Sequence, residues 1–171
     1  MIGRPHESEA ASYYFNYINL VPGDDAQSVM DGQLDEVESF LSTIPQPKSL
    51  YRYAPDKWSI CEVVNHVTDA ERVFALRALW FARGFDSPLP SFEQDIASRA
   101  AEADRVTWND HLDEFRNVRL ATLSFFRNLS PNAWMRTGVA SDNRFTVRAL
   151  AYIIAGHTAH HMKILRERYL Q

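Results

Sequence analysis

Four stretches of this chain repeat apolar residues at helical spacing and are fenced off from one another by proline and glycine, a pattern that points to an all-α fold. The first opens on Asp24-Asp25, an N-cap signal, and carries Met30, Leu34, Val37, Leu41 and Ile44 along one face until Pro45 and Pro47 end it. The second follows Trp58 with Ser59-Ile60-Cys61-Glu62, a capping box in which the serine hydroxyl accepts from the third helical N–H and the glutamate reaches back to the cap. It runs to about Arg83, with Val63, His66, Ala70, Val73, Trp80 and Phe81 facing inward. The third starts near Thr107, an N-cap candidate followed by Asp110, and runs to Leu129, its stripe formed by Trp108, Leu112, Phe115, Val118, Thr122, Phe126 and Leu129. Thr146 caps the last, which extends to Tyr169. Amphipathic helices of about 20 residues or more, joined so that they can run up and down, specify a four-helix bundle.

The intervening segments read as cover. Residues 9–22 are aromatic-rich without a sustained period and predict an arm laid across the body. Gly84 to Pro90 is a proline-punctuated loop, Ser91 to Ala103 a short helix or irregular cover, and 132–146 a short hairpin or loop around Gly138 and Ser141-Asp142-Asn143. With no internal repeat or low-complexity segment, residues 1–171 are expected to form one domain.

Charge and composition exclude several function classes. The net charge is −4 and the Lys and Arg residues are scattered, so the chain has no electrostatic footprint for nucleic acid or for an anionic membrane surface. No apolar run approaches the roughly 18 residues of a membrane span. The first residues are polar and acidic where a secretion signal is basic and then apolar, and the lone cysteine suits a reducing compartment. The expectation is a cytoplasmic protein acting on a small molecule.

The candidate chemistry lies in the histidines. On the last helix Leu150, Ile154, His157, His161, Ile164 and Leu165 share an arc of roughly 100°. A lone histidine on an apolar face is ordinarily a core residue with both nitrogens hydrogen-bonded. Two at i and i+4 are harder to satisfy once water is gone, and they stack about 6 Å apart, within reach of one ion. His66, central in the stripe of the second helix, is the candidate third ligand. Three imidazoles without carboxylate or thiolate suit a divalent borderline metal, zinc by default and nickel, cobalt or iron as alternatives. Three protein ligands leave a position for water or substrate, as in catalytic sites. A di-iron carboxylate site is disfavoured because no Glu stands three residues before any His, and a zincin because Thr158, not Glu, follows His157. Asp69, about 60° from His66 and a turn on, either orients a ligand or is a surface carboxylate paired with an arginine. His111 is a candidate fourth ligand, whereas Cys61 projects about 140° away from His66 and reads as structural. Arg119 and Thr122 interrupt the third stripe, as an arginine paired with a carboxylate on a neighbouring helix would.

Four stretches, Tyr17 to Asp24, Tyr53 to Ile60, Val64 to Arg72 and Ala155 to His161, make nearly the whole chain resemble the DinB-like superfamily. That superfamily includes S-transferases that use bacillithiol or mycothiol, and members described as metal-dependent hydrolases. The resemblance implies a four-helix bundle, often dimeric, with a metal triad that maps onto His66, His157 and His161. Many relatives carry an acidic residue where Thr158 stands, off the ligand arc. The leading expectation is a thiol S-transferase that conjugates a low-molecular-weight thiol to an electrophile. The alternatives are a metal-dependent hydrolase and a non-catalytic, stress-related metal-binding protein.

Overall fold

A computed structural model describes residues 2–171. The N-terminal arm makes two 3-10 turns, Glu7–Glu9 and Ser12–Tyr14, and then one turn of α-helix, α1 (Phe15–Ile18). Helix α2 (Ala26–Ser42) starts at Asp25, whose carboxylate accepts from the N–H groups of Gln27 and Ser28. After a single turn, α3 (Gln46–Ser49), the capping box forms as the sequence predicts. Ser59 Oγ accepts from Glu62 N at 3.0 Å, Glu62 Oε2 accepts from Ser59 N at 2.8 Å, and α4 (Ile60–Ala82) follows. Helix α5 (Gln94–Ala101) lies in the long connection to α6 (Trp108–Arg127), which is capped by Thr107. A hairpin, β1 (Thr137–Ala140) and antiparallel β2 (Asn143–Thr146), turns through Ser141 and Asp142 at φ 49° and 58°, the paired left-handed residues of a two-residue hairpin loop. Thr146 Oγ1 then accepts from Ala149 N at 3.0 Å to start α7 (Val147–Ile164), which ends in a π turn at Leu165–Tyr169.

The four long helices form the bundle. Helices α2 and α4 each pack against both α6 and α7. One half of the core gathers Met30, Phe81, Phe126 and Leu150, and the other gathers Leu41, Cys61, Phe115 and Leu165. Helices α2 and α7 therefore run from the first half to the second, and α4 and α6 run back. Two successive helices, α4 and α6, are thus parallel, because residues 83–107 carry the chain back along the length of the bundle.

The departure from simple amphipathic packing is α7, which is buried on every side from Val147 to Thr158. The arm covers its outer face. Gly156 makes this possible: a Cβ there would lie 2.0 Å from the carbonyl oxygen of Tyr17. The arm is pinned by Glu9, a buried carboxylate that pairs with Arg148 and accepts from Thr146 Oγ1 at 2.8 Å.

Arg119 ties all four long helices together. Its Nε lies 2.9 Å from Glu71 Oε1 and its Nη2 2.8 Å from Glu71 Oε2. Nη2 also donates to Thr158 Oγ1 at 2.9 Å, and Nη1 to Gln33 Oε1 at 3.1 Å. Gln33 Nε2 in turn donates to the carbonyl of Ala155 at 2.8 Å. The interruption in the third stripe is therefore an arginine and carboxylate pair, with Thr158 as one of its hydrogen-bond acceptors.

Candidate metal centre

The cap at Ser59 fixes the height of His66 in the second turn of α4, and the i, i+4 spacing stacks His157 and His161 on the face of α7 that meets it. The three rings converge through one kind of atom. His66 Nε2 lies 3.1 Å from His157 Nε2, and His161 Nε2 lies 3.2 Å from the same atom. Each of the three offers one ligand atom within 4.8 Å of the others. His66 and His157 are buried and His161 is half-buried. Aromatic rings enclose them: Trp58 stands 4.9 Å from the His66 ring, Tyr17 5.2 Å and Phe74 6.2 Å from that of His157.

Burial also sets their protonation. Loss of water pushes the His66 imidazolium down to about 4, although the charges of Asp69 and Asp95 work the other way. Burial, with repulsion from His66 and His160, takes His161 to about 3. His157 falls well below its ordinary value through burial and through its neighbours His161, His66 and His160. All three are neutral at pH 7, the form in which imidazole ligates a metal.

The donor set fits a divalent ion. Each neutral Nε2 carries either one proton or one lone pair, and His157 Nε2 faces two such neighbours, so the three cannot fully satisfy one another. A cation that accepts a lone pair from each resolves this. Zinc held tetrahedrally at about 2.0–2.1 Å from nitrogen keeps its ligand atoms about 3.3 Å apart, and the separations here are 3.1 and 3.2 Å.

The other candidates lie outside the cluster. Asp69 accepts from Asn65 Nδ2 at 3.0 Å and from Arg72 Nη1 at 3.1 Å, and among the described residues it makes no hydrogen bond to the three histidines. Arg72 bridges on to Glu114 at 2.7 Å, so Asp69 belongs to a helix-surface charge chain. His111 is buried elsewhere, its Nε2 donating to the carbonyl of Ala103 at 2.9 Å. Cys61 is buried, and burial raises its thiol pKa.

Two features escaped the sequence reading. Tyr17 of the arm reaches the cluster; the signal for it was Gly156, a costly residue in a helix interior that marks a close approach of backbone beside His157. The cluster is also reached by two clefts. One, of about 130 Å³, touches His66 and His157 and is walled by Tyr14, Tyr17, Phe74 and Arg77. The other, of about 280 Å³, touches His161 between Tyr53, Lys57, Trp58, Asp95 and Tyr169.

A family model described as the DinB superfamily matches residues 30–165. None of the curated proteins matches the chain. Among solved structures the fold is similar to YfiT from Bacillus subtilis, described as a probable metal-dependent hydrolase with an unusual four-helix bundle topology. That likeness has 15% identity and a TM-score of 0.66 and covers 95% of this chain and 91% of the other. It is also similar to the mycothiol-dependent maleylpyruvate isomerase, at 10% identity and a TM-score of 0.69, over 85% of this chain and 61% of that one.

Proposed function

The chain belongs to the DinB superfamily, and from that premise we propose that it is a metal-dependent enzyme whose ion is held by His66, His157 and His161. The reaction we assign is transfer of a low-molecular-weight thiol to a small electrophile. The observation that carries the reading is the convergence of three neutral imidazole nitrogens beside two separate clefts. A divalent ion, zinc by default, supplies Lewis acidity when bound, under which a thiol loses its proton near neutral pH. The protein's own groups do the rest. Burial keeps the ligands unprotonated, Trp58, Tyr17 and Phe74 exclude water, and the two clefts give thiol and electrophile separate approaches. Cys61, with its raised pKa, is no substitute for the external thiol. Among the described residues no carboxylate is hydrogen-bonded to the cluster, which favours the thiol over hydrolysis, although Asp95 in the cleft beside His161 is a candidate base for the latter. The exposed Leu76, Leu79 and Leu120 on α4 and α6 support a homodimer, and the lone buried cysteine supports a cytoplasmic setting.

Elemental analysis of protein purified without added metal, followed by conjugation assays with several thiols and a model electrophile on wild type and His157→Ala, tests the proposal. Metal-dependent conjugation lost in the variant supports it, and equal rates with and without the histidine refute it. Hydrolysis of a substrate panel without thiol would instead favour the hydrolase. A metal that changes only stability would favour a non-catalytic role.

A further inference from the structure

Three arginines are buried among the described residues: Arg77, Arg119 and Arg148, at 4%, 0% and 9% exposure. Arg119 is matched with Glu71 and Arg148 with Glu9. Arg77 has no carboxylate. Its Nη2 donates to the carbonyl of Pro90 at 3.2 Å and to Ser141 Oγ at 2.8 Å, and the phenol of Tyr14 stands alongside. A guanidinium taken out of water without a counter-ion is strongly unfavourable unless something else uses its charge.

Its position shows what that is. Arg77 follows His66 on α4 by three turns on the same face, roughly 16 Å along the axis, and its side chain leans back toward the helix N-terminus. It lines the same cleft as His66 and His157, a lining that contains no carboxylate. The Phe74 ring lies between the two ends, 5.7 Å from the guanidinium carbon and 6.2 Å from the His157 ring. The groups holding Arg77 are themselves fixed: Leu89 N donates to the Val139 carbonyl at 2.9 Å and Ser141 N to the Leu89 carbonyl at 3.1 Å, locking the loop to the hairpin.

We propose that Arg77 is the recognition residue for a carboxylate, so that the small molecule lying over Phe74 is an organic acid whose other end reaches the histidine cluster. The inference rests on reading that cluster as the reactive centre and adds the chemical class of its ligand. The cleft of about 130 Å³ is close to one that admits benzene, so the acid is compact. Either reactant, electrophile or thiol, could carry the carboxylate.

The test begins on metal-free protein, titrated with benzoate and hexanoate and with their uncharged amides while NMR shifts are followed. Wild type should prefer each acid over its amide by at least about tenfold, as a charge-assisted fork predicts. Arg77→Gln should lose the preference with amide binding unchanged, and Arg77→Lys should keep part of it. Acids and amides binding alike to wild type, or a preference that survives in Arg77→Gln, overturns the inference. Equal binding of acid and amide by wild type overturns the inference even if a variant fails to fold, and Arg77→Lys then stands beside Arg77→Gln as the second variant that assigns a preference to this residue. On metal-loaded protein, two matched pairs locate the acid: 4-(bromomethyl)benzoate and its methyl ester as electrophile, and 3-mercaptopropionate and its methyl ester as thiol. Sulfur displaces bromide as the C–S bond forms, and the thiol proton passes to buffer. The pair whose acid form alone shows a raised KM in Arg77→Gln carries the carboxylate; no change in either overturns the proposal. Because the binding arm needs neither metal nor turnover, it reads carboxylate recognition by Arg77 even where the catalytic reading fails, whereas an active enzyme with Arg77-independent binding sinks this inference alone.

Discussion

Replacing Glu71 by alanine strands a guanidinium in the middle of the bundle. Arg119 is 0% exposed, so water cannot take over the contacts of 2.8 to 3.1 Å that Glu71 makes with it. What remains are neutral acceptors, Gln33 Oε1, Thr158 Oγ1 and the more distant Met30 carbonyl. Removing one partner of a buried pair costs about 3–5 kcal/mol, against a total stability of roughly 5–15 kcal/mol for a domain. The double variant Glu71→Leu with Arg119→Met removes both charges and should return to within about 1 kcal/mol of wild type. Urea unfolding of metal-free protein at pH 7, followed by circular dichroism, measures all three free energies, with an unchanged m-value as the check that only stability has moved. A Glu71→Ala cost below about 1 kcal/mol, or a double variant as unstable as Glu71→Ala, would show that the pair is not a desolvated lock and refute the reasoning.

Four further outcomes follow from the geometry. Gly156→Ala drives a methyl group into the Tyr17 carbonyl, so it should destabilise by about 1–3 kcal/mol and expose the arm to limited proteolysis; a variant as resistant as wild type would contradict the packing. Burial pushes the Glu9 carboxyl up, but Arg148, the His6 N–H and the Thr146 hydroxyl outweigh it and leave the pKa below 4.5. The stability it contributes is thus present above pH 4.5 and lost as pH falls through the folded value, so Glu9→Gln should lower Tm at pH 7 and flatten its fall in acid. Cys61 should resist thiol reagents until the protein unfolds, and Cys61→Ala should match wild type in the conjugation assay of the proposed reaction; prompt labelling of folded protein would disprove the first. Saturating zinc at about 100 times its Kd should stabilise wild type by about 2.7 kcal/mol, and His66→Ala or His161→Ala should abolish most of that gain in a thermal shift assay.

The parts of the fold that could be read from residues alone are those governed by local chemistry. Caps at Asp25, Ser59, Thr107 and Thr146 each need only a side chain and an N–H a few residues on, and each forms as read. The convergence of His66, His157 and His161 was legible because helical geometry fixes direction and the Ser59 box fixes height. Partners across the bundle are another matter. The periodicity of the third stripe marks Arg119 as inward but cannot name Glu71, and that of α4 cannot say that Arg72 reaches Glu114. The parallel course of α4 and α6 depends on where residues 83–107 lead, which no local signal specifies. The enclosure of α7 had a trace in the sequence: from Val147 to Ala155 only Arg148 is charged, so the helix has no polar face to give to solvent.

That enclosure bears on how such a site can change its preferences. With three turns of α7 wedged in on all sides, almost any exchange beside His157 would disturb the whole interior. Tyr13, Phe92 and Gln94, all exposed, border the same cleft from the periphery, on the arm and the returning connection. Replacements there cost little in repacking, so a new specificity can be acquired at the rim while the hub stays as it is.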